Sequence, residues 1–85
     1  MRLEDCVITV RNFHQFAKTV DWLKATNTNT EWIYDNAVEV EEMFTYRSIV
    51  YLIYENGKLE LLDGDTTLPT YTFTKMRNEL RFLQD

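Results

Sequence analysis

Apolar residues recur with two different periods along this 85-residue chain, and the switches between periods mark out its elements. Cys6-Val7-Ile8-Thr9-Val10 is β-branched and bounded by charge, which predicts a short strand. Phe13, Phe16, Ala17, Val20 and Leu23 then follow at helical spacing and predict an amphipathic helix over 13–26. Asn12 supplies its N-cap, with Gln15 at the capping-box position. Asn27-Thr28-Asn29-Thr30 ends it, because these residues compete with the helix for backbone hydrogen bonds. Glu31 to Asp35 reads as a strand or an extended approach to one, and Asp35-Asn36 as a bend or bulge. Val38-Glu39-Val40-Glu41 alternates with period two, the pattern of a half-buried strand, and Met43 to Tyr46 turns the chain.

Arg47 to Tyr54 is the strongest strand signal. Asn56-Gly57 separates it from Lys58-Leu59-Glu60-Leu61-Leu62, and both loop residues tolerate the positive φ of a type I′ hairpin turn. That turn sets Glu55 opposite Lys58, Tyr54 opposite Leu59 and Leu52 opposite Leu61. Pro69 keeps the chain out of helix until about Thr72. Phe73, Met76, Leu80 and Leu83 then mark a C-terminal helix capped by Thr72 or Thr74.

The resulting order is strand, helix, a three-stranded antiparallel meander, helix. It predicts a small α+β fold, a single compact domain over 1–85 with its helices packed on one sheet face. Val50, Leu52, Tyr54, Leu59 and Leu61 form the core face, with Val38 and Val40 expected beside them. Ile49, Tyr51, Ile53, Glu60 and Leu62 lie opposite, with Glu39 and Glu41. Unless the N-terminal strand or a long loop covers that face, Tyr51 and Ile53 are candidates for an interface. Trp22 and Phe82 each sit opposite the apolar stripe of their helix and join Trp32 as further apolar interface candidates.

Charge changes this picture more than composition does. From Glu31 to Asp65 the chain holds nine acids and two bases, a net −7, whereas the flanks hold five acids and seven bases. The block is also rich in Trp, Tyr, Ile, Val and Leu, so it can fold and still present carboxylates. Glu31, Asp35, Glu39, Glu41, Glu42, Glu60, Asp63 and Asp65 are its candidate partner-binding acids.

Motifs for other chemistry are weak. Cys6 is the only cysteine and His14 the only histidine, too few for a structural zinc site, and a buried structural thiol is expected. Asp63-Gly64-Asp65 lacks the spaced acids and terminal Glu of a calcium loop, since the twelfth position is Thr74. Gly57 and Gly64 are the only glycines, which leaves no phosphate-cradling loop. No catalytic residue, metal ligand or cofactor site is expected. The Met-Arg-Leu-Glu-Asp start has no apolar leader, and no apolar run approaches membrane-spanning length, so a cytoplasmic protein is expected. The element order superficially resembles a double-stranded-RNA-binding domain. The lysine run that family uses to grip phosphates is replaced by Thr72-Phe73-Thr74-Lys75-Met76-Arg77, and the net charge of −5 opposes direct nucleic-acid binding.

The expected function is therefore that of a non-catalytic acidic protein that inhibits or modulates a basic, nucleic-acid-binding partner. Carboxylates at i and i+2 on a strand lie roughly 6.6 Å apart. DNA carries a phosphate per strand about every 3.4 Å of axis, a density of the same order, which points to DNA mimicry. In size, charge and aromatic content the chain resembles small acidic early proteins of bacteriophages that inhibit host enzymes, restriction systems among them; that resemblance would place it in the host cytoplasm. The alternative from another class is a homodimeric structural or assembly protein whose acidic face confers solubility.

Overall fold

The structure is a computed structural model that describes residues 3–84, with side chains as far as Arg81. Its elements are β1 (Cys6–Val10), α1 (Phe13–Lys24), α2 (Glu31–Asp35), α3 (Ala37–Met43), β2 (Val50–Glu55), β3 (Lys58–Leu61), β4 (Thr70–Thr72) and α4 (Phe73–Gln84). The α+β class holds, with helices and one four-stranded mixed sheet in the order β3-β2-β1-β4.

β1 is the inner strand on which the sheet is built. It pairs antiparallel with β2, Ile8 opposite Leu52 and Val10 opposite Val50. On its other side it pairs parallel with β4, Ile8 opposite Tyr71. The β2–β3 hairpin has the register set by its two-residue turn: Glu55 faces Lys58, Tyr54 faces Leu59 and Leu52 faces Leu61. Asn56 and Gly57 adopt φ of 55° and 75°, the left-handed values this turn demands.

The two long helices begin at side-chain caps. Asn12 accepts a hydrogen bond from the Gln15 backbone N–H at 2.8 Å, and Gln15 Oε1 accepts one from the Arg11 N–H at 2.8 Å. Gln15 thus reaches one residue further back than in a standard capping box. α1 stops at Lys24, earlier than its pattern suggests; Asn27 turns left-handed (φ 65°) and the Thr28 N–H bonds the Leu23 carbonyl at 3.2 Å. Thr72 is the residue that caps α4, through the Lys75 N–H at 3.1 Å.

Residues 31–43 correct the sequence reading. They form two short helices where a strand was expected, so the predicted three-stranded meander does not exist. The physical reason is a stripe of apolar residues at Ile33, Ala37, Val40 and Phe44, spaced four, three and four apart, which lies along one helical face. Ile33 is 0% exposed and Val40 1%, and Ala37 and Phe44 pack against the same core. Val38, expected beside Val40 in the core, is 72% exposed. Asn36 separates the helices: its Nδ2 donates to the Trp32 carbonyl at 2.8 Å and closes α2.

The core lies between the sheet and the helices, built from Cys6, Ile8, Val10, Val50, Leu52, Tyr54 and Leu59 below and Phe16, Val20, Leu23, Ile33, Val40, Met76 and Leu80 above. The other face carries Thr9, Tyr51, Ile53 and Glu60. Residues 62–69 link β3 at one edge of the sheet to β4 at the other, and the Pro69 carbonyl accepts the Val7 N–H at 2.8 Å. Val7 points to that face yet is only 2% exposed, and Leu68 in the β3–β4 connection is half-buried. Tyr51 remains 45% exposed.

Two stability outcomes separate the helical from the strand arrangement of residues 37–43. Val40→Ala should cost about 2 kcal/mol through lost burial and the cavity left behind. Val38→Ala should change stability by less than about 0.5 kcal/mol. Urea denaturation of both variants measures the difference; equal losses would restore the strand. Asn12→Ala should cost about 1 kcal/mol in the same assay through loss of the α1 cap.

Candidate functional site

Asn29 fixes the site. Its backbone N–H bonds the Gly57 carbonyl at 2.7 Å, and its carbonyl accepts the Leu59 N–H at 3.0 Å. That single parallel bridge to Lys58 pins the start of α2 against the outer edge of β3. The Asn29 side chain then accepts the Glu31 N–H at 3.0 Å and orients the first turn of α2. Because Ile33 is drawn into the core, Glu31, Trp32 and Asp35 are turned outward along the sheet edge.

A groove of about 300 Å³ results, lined by Asn29, Glu31, Trp32, Asp35, Lys58, Leu59 and Glu60. Three carboxylates and one ammonium line it, so it is net negative. Trp32 is 41% exposed, a large apolar surface among the acids. Among the described residues no group of three or more His, Cys, Asp or Glu side chains converges closely enough to hold a metal ion. The carboxylates are spread along the groove, an arrangement that suits several cationic groups on an extended surface better than one ion.

The sequence-predicted residues divide accordingly. Glu31, Trp32, Asp35 and Glu60 are brought together. Glu39, Glu41 and Glu42 are exposed on α3, next along the chain, and Glu39 and Glu41 do not lie on a strand face with Glu60 as expected. Asp63 and Asp65 are exposed in the connection after β3 and do not line the groove. Tyr51 and Ile53 lie on the helix-free sheet face, as the alternation indicated. Trp22 is partly buried and stacks on Phe73, ring centroids 5.5 Å apart, which makes it a contact between α1 and α4. The side chain of Phe82 lies outside the described residues. Asn29 and Lys58 were missed, because the bridge that joins them spans 29 residues and leaves no local pattern.

Cys6 is fully buried in β1, while His14 is exposed on α1. Burial, reinforced by Glu4 and Asp5, pushes the Cys6 thiol up to about 12 from 9.0. Tyr71 donates its hydroxyl to Glu4, and this hydrogen bond, with burial and the Glu4 charge, raises it to about 12 from 10.0. A thiol so displaced carries almost no thiolate near neutrality and is inert. No helix of the described residues is long and apolar enough to cross a membrane. Comparison with protein-family models, with curated proteins and with solved structures finds no match.

Both raised groups bind protons more tightly folded than unfolded, so their contribution is complete below the unfolded values and disappears as pH rises through the folded ones. Stability should therefore fall from about pH 9 towards pH 12, within the span of the Cys6 shift. Urea midpoints across that range measure it, and a midpoint that rose with pH would contradict the assignment. A thiol-specific disulfide reagent at pH 8 should label Cys6 only after unfolding.

Proposed function

We propose that this protein is a non-catalytic binding module that takes a basic partner protein into the groove between α2 and the edge of β3. The observation that carries this reading is the joint placement of Glu31, Asp35 and Glu60 around an exposed Trp32. A lysine or arginine side chain entering the groove meets carboxylates, and an arginine also meets an indole face suited to a cation–π contact. The apolar contact slows release, while the wider acidic field accelerates encounter.

The natural partner is a nucleic-acid-binding protein, whose cations are already arranged for a row of phosphates. The strand-borne carboxylate row is replaced here by helical spacing. Glu31 and Asp35 rise about 6 Å along α2, and Glu39 and Glu42 about 4.5 Å along α3. These steps are of the same order as the roughly 3.4 Å axial phosphate spacing of DNA. Inhibition of such a partner by occupying its nucleic-acid site is the mode of action this supports.

A second reading rests on Tyr51, 45% exposed beside a half-buried Ile53 on the sheet face without helices. It makes the protein a homodimer joined through that face, with the acidic block as its solubilising surface.

Capture from bacterial lysate at low salt, with a salt-step elution, separates the two. The groove reading expects a DNA-handling protein released by salt, displaced by free DNA, and lost when Glu31→Gln, Asp35→Asn and Glu60→Gln are combined. Capture that survives that triple variant overturns it. A salt-insensitive dimer that captures nothing supports the second reading instead.

A further inference from the structure

A second cavity, of opposite charge, lies between α1 and α4. It measures about 310 Å³ and is lined by Trp22, Arg77, Leu80 and Arg81. Arg77 and Arg81 stand one helical turn apart on α4, so both guanidinium groups serve the same side. Leu80 is buried and forms an apolar floor. Phe73 stacks against Trp22 with 22° between the ring planes and holds the indole at the cavity wall. A pair of arginines in a cleft stands out on a chain of net charge −5.

The Arg77 Nε is buried and has no hydrogen-bond partner among the described residues. Buried donors are nearly always paired, so this one is poised to take an acceptor brought into the cleft. Stabilisation of the α4 dipole accounts for Arg81, in the last turn of the helix, but not for Arg77 in its middle. A small rotation of the Arg77 guanidinium towards an oxyanion in the cleft would give Nε–H its acceptor.

We propose that this cleft binds a nucleoside monophosphate, the phosphate held by Arg77 and Arg81 and the base laid on Trp22. Planar guanidinium forks match phosphate oxygens in pairs, which a lysine cannot do. An indole that lines the cleft and is already stacked on Phe73 is a platform for a base. The cavity sits at the low end of ligand-pocket sizes, roughly 300–1,000 Å³, and admits one nucleotide. The acidic groove is at the β3 edge, whereas α1 and α4 pack over β1 and β4, so the two sites occupy different parts of the molecule. The overall negative charge disfavours a long polyanion and favours a free mononucleotide over the end of a strand.

The test uses a Trp32→Phe variant, which leaves Trp22 as the only indole, and follows its fluorescence during titration with adenosine monophosphate. Saturable quenching is expected. Arg81→Gln, an exposed position that does not threaten folding, and Arg77→Lys should each weaken it roughly tenfold, and adenosine or inorganic phosphate alone should bind at least about tenfold more weakly. A 5′-phosphorylated oligodeoxyadenylate arm identifies the source: weaker binding supports the free nucleotide, and tighter binding overturns that choice in favour of a strand end. Absence of saturable quenching, quenching indifferent to both arginine variants, or inorganic phosphate binding as tightly as the nucleotide overturns the proposal.

Discussion

Burial of Ile33 and Val40 is the constraint from which the acidic half of this molecule takes its shape. Both come from a segment dense in carboxylates, and both are almost wholly removed from water. Each such burial is worth about 1.5–3 kcal/mol, enough to dictate the conformation of short helices with little intrinsic stability. Once this stripe faces the sheet, Glu31, Asp35, Glu39, Glu41 and Glu42 have to face solvent. The acid display and the core are two sides of the same helices.

The sheet distributes the consequences. β1 is paired on both sides, its core face is sealed by helices, and Val7 on its other face is buried as well. Asn29 occupies part of the outer edge of β3, which limits edge-to-edge pairing and positions the groove at once. Charge is segregated along the sheet, with carboxylates at the β3 edge and an arginine pair over the β1–β4 half. Between them, Glu4 binds Tyr71, so the N-terminal approach is tied to β4 by a polar contact, and burial, reinforced by Glu4 and Asp5, holds the Cys6 thiol protonated.

Local signals proved legible where one residue type answers one geometric demand. Asn56-Gly57 fixed the hairpin register because few other pairs tolerate two positive φ values. Asn12 and Thr72 marked helix starts through hydrogen bonds within three residues. The reading failed at Val38 to Glu41 because two residues two apart fit a strand as well as a fragment of a helix. The longer 33, 37, 40, 44 spacing was present, but Asn36 interrupts it, and α2 contributes only Ile33 to it and α3 only Ala37 and Val40. β4 has only three residues, and its pairing with β1 depends on contacts more than sixty residues apart. The acids of the groove were recognisable from charge alone. Their assembly was not, because it depends on the distant backbone bridge from Asn29 to Lys58.

The most direct test of the central claim is residue-resolved chemical-shift mapping of the free protein against an arginine-rich peptide at low salt. The account predicts saturable shifts confined to Asn29–Asp35 and Lys58–Glu60, with the Trp32 indole among the largest, all abolished by high salt. Shifts centred on Tyr51 and Ile53, or none at all, would contradict it.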